Sequence, residues 1–457
     1  MSKSKKLTRA ALGAALLASG ALISSAQAQS ADALLDKLVE KGILTVKEAN
    51  ELRGQSDEGF LKAYQTKAGM PDWVNQLRLY GDVRGRFDKV YFENNSEDLA
   101  GGLNGNQDRN RFRYRIRTGV TATLKDDFEV GFRLTSGDPV GSFGGNALSG
   151  NSTAQDNGSK KNVYVDLAYG KWTPLHHGPW TGGLTIGKME NPFMNSDMVW
   201  DADYTPEGGA LSLGYNLNNQ HALKLVGAIF ILDELNQGPL ASHDPMLTGV
   251  QARWDAKWKP KLQSTLGMAF YGISDKRNLG NGAVENLNSG NARDVFGNLI
   301  QHYNPIVVDA ALTYSLDTFP LYPGAFPVKL WGEYINNPGA SRFEDGYTGG
   351  ITFGKSGKKG TWEASWRYER LEGDAWYEEF VNDDFGAYAQ LPPLNSGLGV
   401  GYRSGTNVRG HIVKASYSPS DAFTLSVTYY LTVLIHNIPP GSESGTGRLF
   451  VDAMWKF

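Results

Sequence analysis

The sequence predicts an all-β chain, a 16-stranded antiparallel transmembrane β-barrel with a short N-terminal helical hairpin before it. Three observations predict it. From Leu77 to Phe457, 16 segments alternate apolar and polar residues with a period of two, the periodicity of a strand. Each segment is near the roughly ten residues that a tilted membrane strand needs. The links between segments alternate short and long, as in barrels that gather tight turns at one rim and long loops at the other. The last two segments show the pattern best. Phe423, Leu425, Val427, Tyr429, Leu431 and Val433 share one face, opposite Thr424, Ser426, Thr428 and Thr432. Leu449, Val451, Ala453, Trp455 and Phe457 share the next, opposite Arg448, Asp452 and Lys456.

Composition agrees. The 457 residues include 55 Gly, 21 Tyr, 20 Phe and 11 Trp, and no Cys, which excludes disulfide frameworks, thiolate metal sites and a lipoprotein anchor. A net charge of −3 gives no pull toward nucleic acid. Mean hydropathy is −0.38, a value that alternating barrel strands produce by averaging.

Taken in order, residues 1–28 read as a secretory signal peptide. Lys3, Lys5, Lys6 and Arg9 precede an apolar run from Ala10 to Ile23 and a small-x-small site at Ala26-Gln27-Ala28. Apart from that run, which is too short to span, no stretch approaches the roughly 20 apolar residues of a membrane helix. Residues 29–53 read as a helical hairpin. Leu34, Leu35, Leu38 and Val39 form its first stripe, Gly42 breaks it, and Thr45 to Glu48 is a capping box. The hairpin either packs on itself or makes a periplasmic contact, with another protomer or with peptidoglycan. Residues 54–76 are a polar linker, and 77–457 are the barrel.

The predicted strands are 77–88, 110–124, 127–136, 162–173, 180–189, 208–217, 221–233, 247–259, 261–273, 305–317, 327–336, 346–355, 361–372, 407–418, 421–433 and 446–457. Tight links such as Lys125-Asp126 and Lys259-Pro260-Lys261 alternate with Gly-, Asn- and Asp-rich links at 137–161, 190–207, 274–304 and 373–406. Trp172, Trp180, Trp254, Trp258, Trp362, Tyr417 and Trp455 sit near strand ends on outward faces and would form interfacial girdles. A soluble β-sandwich or propeller is the alternative, but its surface would not tolerate sixteen strands with almost no outward charge.

Three features resemble the bacterial putative porin family, which is distantly similar to phosphate-selective porins. They are the hairpin ADALLDKLVEKGILT-KEANELR, the run from Asn191-Pro192-Phe193 through Trp200-Asp201-Ala202-Asp203-Tyr204-Thr205-Pro206-Glu207-Gly208, and the terminal Trp455-Lys456-Phe457. The resemblance implies an outer-membrane diffusion channel for small hydrophilic solutes or ions, set in lipid and lipopolysaccharide. It leaves the cargo open. Analogy with other sixteen-stranded porins implies a homotrimer.

Function would sit in the lumen. Arg111, Arg113, Arg115 and Arg117 lie opposite Phe112, Tyr114 and Ile116, and Arg78, Arg84 and Arg86 share a face with Asp82 and Asp88 on the strand before. Arg133 continues the row on the third strand. Charge facing lipid costs several kcal/mol at mid-membrane, so these rows point inward. Two readings stay open. Either the guanidinium ladder attracts anions, or Asp82, Asp88, Glu129 and their neighbours neutralise it and it braces the wall. The loop 190–207 carries Glu190 and, as candidate constriction acids, Asp197, Asp201, Asp203 and Glu207. Folded inward, it would narrow the lumen across from the arginines. Left outside, it would be an exposed acidic loop or a weak calcium site, although the spacing lacks the Gly and terminal Glu of an EF-hand.

Gly349 to Ser356 matches the phosphate-loop pattern, but another strand rather than a helix follows it. The seven histidines form no spaced metal pair and no nucleophile elbow. No cofactor or metal is expected and the chain is not read as an enzyme. A barrel lipase or protease, and an adhesin or phage receptor built on loops 274–304 and 373–406, remain as alternative functions.

Overall fold

Sixteen strands form one closed antiparallel barrel. They are β1 Val74–Phe92, β2 Arg109–Leu124, β3 Phe128–Gly137, β4 Asn162–Leu175, β5 Trp180–Lys188, β6 Glu207–Asn216, β7 His221–Ile231 and β8 Met246–Lys259. The second half is β9 Leu262–Ile273, β10 Ile306–Leu316, β11 Phe326–Asn336, β12 Asp345–Gly354, β13 Trp362–Leu371, β14 Val408–Ser420, β15 Phe423–Leu434 and β16 Thr446–Lys456. This computed structural model describes residues 70–92, 108–139, 148–235, 243–279, 290–389, 402–403, 405–436 and 444–457. The predicted signal peptide and helical hairpin lie outside the described residues.

Each strand pairs with the next, and the ring closes where β16 meets β1, with Lys456 opposite Asp82 and Asp452 opposite Arg86. Closure removes the edge strands that would otherwise leave unpaired backbone groups in lipid. Strand ends fall within two residues of the prediction except in β1. There, continued pairing of Lys89 with Leu449 and Tyr91 with Gly447 carries the strand past Asp88. The phosphate-loop lookalike is mostly the second half of β12. Two short pieces were not predicted. Ser152–Thr153 pairs with β2 at Arg113 and Tyr114, and Tyr388–Ala389 pairs with Tyr402–Arg403.

The turn between β2 and β3 places Asp126 and Asp127 at φ 58° and 65°. Positive φ at both positions is what a tight hairpin turn of this hand requires, and Asp tolerates it. All seven predicted girdle aromatics lie at the tight-turn rim. There Trp172 stacks on Phe128 with ring centroids 5.8 Å apart, and Trp455 lies 4.8 Å from Phe423.

Alternation assigns the faces. Along β2, Phe112 is 67% and Ile116 45% exposed, while Arg113 and Arg115 are only 7% and 5% exposed. Exposed apolar side chains such as Leu211, Val250, Leu330 and Val413 continue the outer face around the ring. The arginines therefore face the interior.

Candidate functional site: the lumen

The inward rows of β16, β1, β2 and β3 carry the predicted ladder, and most of it is clasped by carboxylates. Arg115 Nη2 and Arg117 Nε donate to Asp82 at 3.1 and 2.7 Å. Arg448 donates to both oxygens of the fully buried Asp88 at 3.2 Å, and Arg111 donates to it as well. Arg86 forms a fork with Asp452 at 2.7 and 3.0 Å, and Arg133 pairs with Asp166 at 2.5 Å and with Glu190. Such pairs satisfy charge that would be costly to leave alone. Glu129 sits apart from the ladder, accepting from Tyr169 Oη. Two guanidiniums of the row are less engaged. Arg113 lies 3.8 Å from Asp88, and Arg84 has no carboxylate partner among the described residues and donates to Asn151 at 2.7 Å. Arg78 lies outside the row, exposed near the start of β1.

The segment 189–206, between β5 and β6, meets inward side chains far apart around the ring. Met194 N donates to Gln251 on β8 (2.9 Å), and buried Glu333 on β11 accepts from Ser196 N and Oγ and from Asn195 Nδ2. Asp197 takes both terminal nitrogens of Arg367 on β13, while Asp203 accepts from Arg115 on β2 at 3.0 Å. A segment tied at once to β2, β8, β11 and β13 crosses the interior. Its apolar side anchors it, since Trp200 is buried, stacks 5.4 Å from Tyr204 and meets Tyr271 edge-on at 5.1 Å.

The acids of this segment fall into different surroundings. Asp197 and Asp203 meet arginines as described. Asp201 is buried and accepts from the backbone of Asp203 and Asp383, so it shapes the turn. Burial, with Asp383 and Asp203 close by, raises its carboxyl well above the ordinary range. Glu207 is an exposed partner of Lys188 at 3.0 Å.

A second inward segment, 372–387, was not foreseen. Asp201 N donates to Phe380 O (2.6 Å), Trp376 Nε1 to Val199 O (2.9 Å) and Asn382 Nδ2 to Asp197 (2.7 Å). Asp384 reaches the ladder, 3.4 Å from Arg86 and 3.1 Å from Arg448. Burial opposes its charge, but Arg448 and Arg86 hold the carboxyl below its ordinary value. The signal for this packing was Trp376, Tyr377, Phe380 and Phe385, all buried here and too apolar for an exposed loop.

Other carboxyls of that segment behave oppositely. Burial pushes Asp374 up to about 6, and burial next to Glu378 pushes Glu379 up to about 8. A carboxyl with a raised pKa in the docked state favours docking below its ordinary pKa and loses that contribution as pH rises through the docked value. Docking of 372–387 is therefore expected to weaken from about pH 4 to about 8. Limited proteolysis within the segment should speed up across that window, and a flat rate would contradict it.

A family model described as a putative porin matches residues 61–295, just over half of the chain. Among solved structures, Pseudomonas putida OprB is 12% identical, with 83% of this chain and 94% of that chain covered at a TM-score of 0.48. Salmonella typhi OmpF, solved with daunomycin, is 11% identical, with 83% and 97% covered at a TM-score of 0.45. A triple mutant of Rhodopseudomonas blastica porin is 12% identical, with 84% and 100% covered at 0.39. No curated protein matches the chain.

Proposed function

The chain belongs to the putative porin family, and on that premise we propose that it is a passive outer-membrane channel for small hydrophilic solutes or ions, with a mild anion preference. The observation that carries this reading is a polar segment crossing a closed sixteen-stranded ring, because a barrel of that size encloses an aqueous lumen and the segment narrows it. In this reading 189–206 and 372–387 set the bore. The clasped arginines hold the wall, while Arg84 and Arg113, the least neutralised, tilt the field toward anions. Residues 1–28 would direct export, and the working assembly would be a homotrimer.

The test is the reversal potential of the purified protein in a planar bilayer under a KCl gradient. An anion-favouring potential is expected, moving toward cations when Arg84 and Arg113 are both changed to Ala. A potential that ignores the double substitution would leave the ladder a structural brace and remove the anion preference.

A further inference from the structure

A cavity of about 390 Å³ lies in the lumen where the arginine rows of β1 face Asp197 and the inward rows of β12 to β15. This is within the roughly 300–1,000 Å³ typical of small-molecule sites. Its two acids are engaged, Asp452 by the fork from Arg86 and Asp197 by that from Arg367. The charge left over is that of Arg84, which has no carboxylate partner among the described residues and donates to Asn151. Lys414 adds a second cation at the wall, loosely paired with Glu363 at 3.6 Å.

The rest of the wall is of another kind. Strand register sets Thr352, Ser365, Lys414 and Thr428 side by side on β12, β13, β14 and β15, with Ser426 two residues from Thr428 on the same face. The hydroxyls of Thr352, Ser365, Thr428 and Ser426 have no protein hydrogen bond among the described residues, although all four line the cavity. Each can both donate and accept, as the hydroxyls of a polyol can. Trp331 adds an aromatic face for the C–H side of such a chain. Anion attraction alone calls for cations and has no use for a row of open hydroxyls.

The geometry points to a lumenal binding site for hydroxylated carboxylates, the carboxylate held by Arg84 and Lys414 and the hydroxyls by β12 to β15. This deepens the channel reading and rests on it. The terminal nitrogens of Arg84 keep N–H groups that Asn151 does not take and that a carboxylate can accept, and the hydroxyl row would distinguish a sugar acid from a plain fatty acid of similar charge.

Single-channel current in KCl separates the two ideas, with potassium gluconate, propionate and glucose added in turn. Gluconate should interrupt the current at about tenfold lower concentration than either of the others, equivalent to about 1.4 kcal/mol. Arg84→Gln should bring gluconate down to the level of glucose, and Ser426→Ala with Thr428→Val should bring it down to that of propionate. Calorimetric titration of gluconate into the folded, detergent-solubilised variants should repeat the ranking. Interruption that follows solute size alone, or a preference that survives Arg84→Gln, overturns the site and leaves the channel standing. Absence of any KCl current overturns the channel reading, and the site with it.

Discussion

Deleting residues 194–204 is expected to raise single-channel conductance several-fold and to admit larger neutral solutes in liposome swelling. The barrel should survive, because Met189 N still donates to Pro206 O at 2.9 Å and the β5–β6 ladder already pairs Lys188 with Glu207. The deletion removes Trp200, on which Trp376 and Phe380 pack, and Asp197, to which Asn382 bonds. The second segment should therefore loosen too. Unchanged conductance and cut-off would mean that neither segment sets the bore.

The second large effect is expected from Asp88→Asn. The Asp88 side chain is wholly buried, receives Arg448 and Arg111, and lies 3.8 Å from Arg113. Neutralising it takes the carboxylate from Arg111 and Arg113 and leaves Arg448 to Asp384, and breaking a buried pair in this way costs about 3–5 kcal/mol. The denaturant midpoint of the barrel in detergent should fall clearly. Protein that still folds should shift its reversal potential toward anions. An unchanged midpoint would show that water, and not Asp88, carries most of the neutralisation.

Why the barrel could be read from the sequence and its interior could not is a matter of range. Strand periodicity and turn chemistry act over a few residues, so Phe423 to Val433 declares a strand by itself, and Lys125-Asp126 declares a turn. The inward side of the β2 arginines is legible for a local reason too, since Phe112 and Ile116 must face out. Their partners were not legible. Asp88 and Arg448 are 360 positions apart and meet only because β16 closes on β1. Asp197 meets Arg367, 170 positions on, only because a loop folds into the ring. Asp197, Asp201, Asp203 and Glu207 are close in sequence, yet in the folded loop each faces different surroundings. The inward course of 372–387 was hinted at by its aromatics, but its acids resemble those of any exposed loop.

The central claim is that a water-filled path runs through the barrel past its two inward segments. The most direct test is single-channel recording of the purified, folded protein in a planar bilayer. Discrete steps whose size grows with KCl concentration are predicted. A correctly folded barrel that inserts without producing steps at any salt concentration would contradict it.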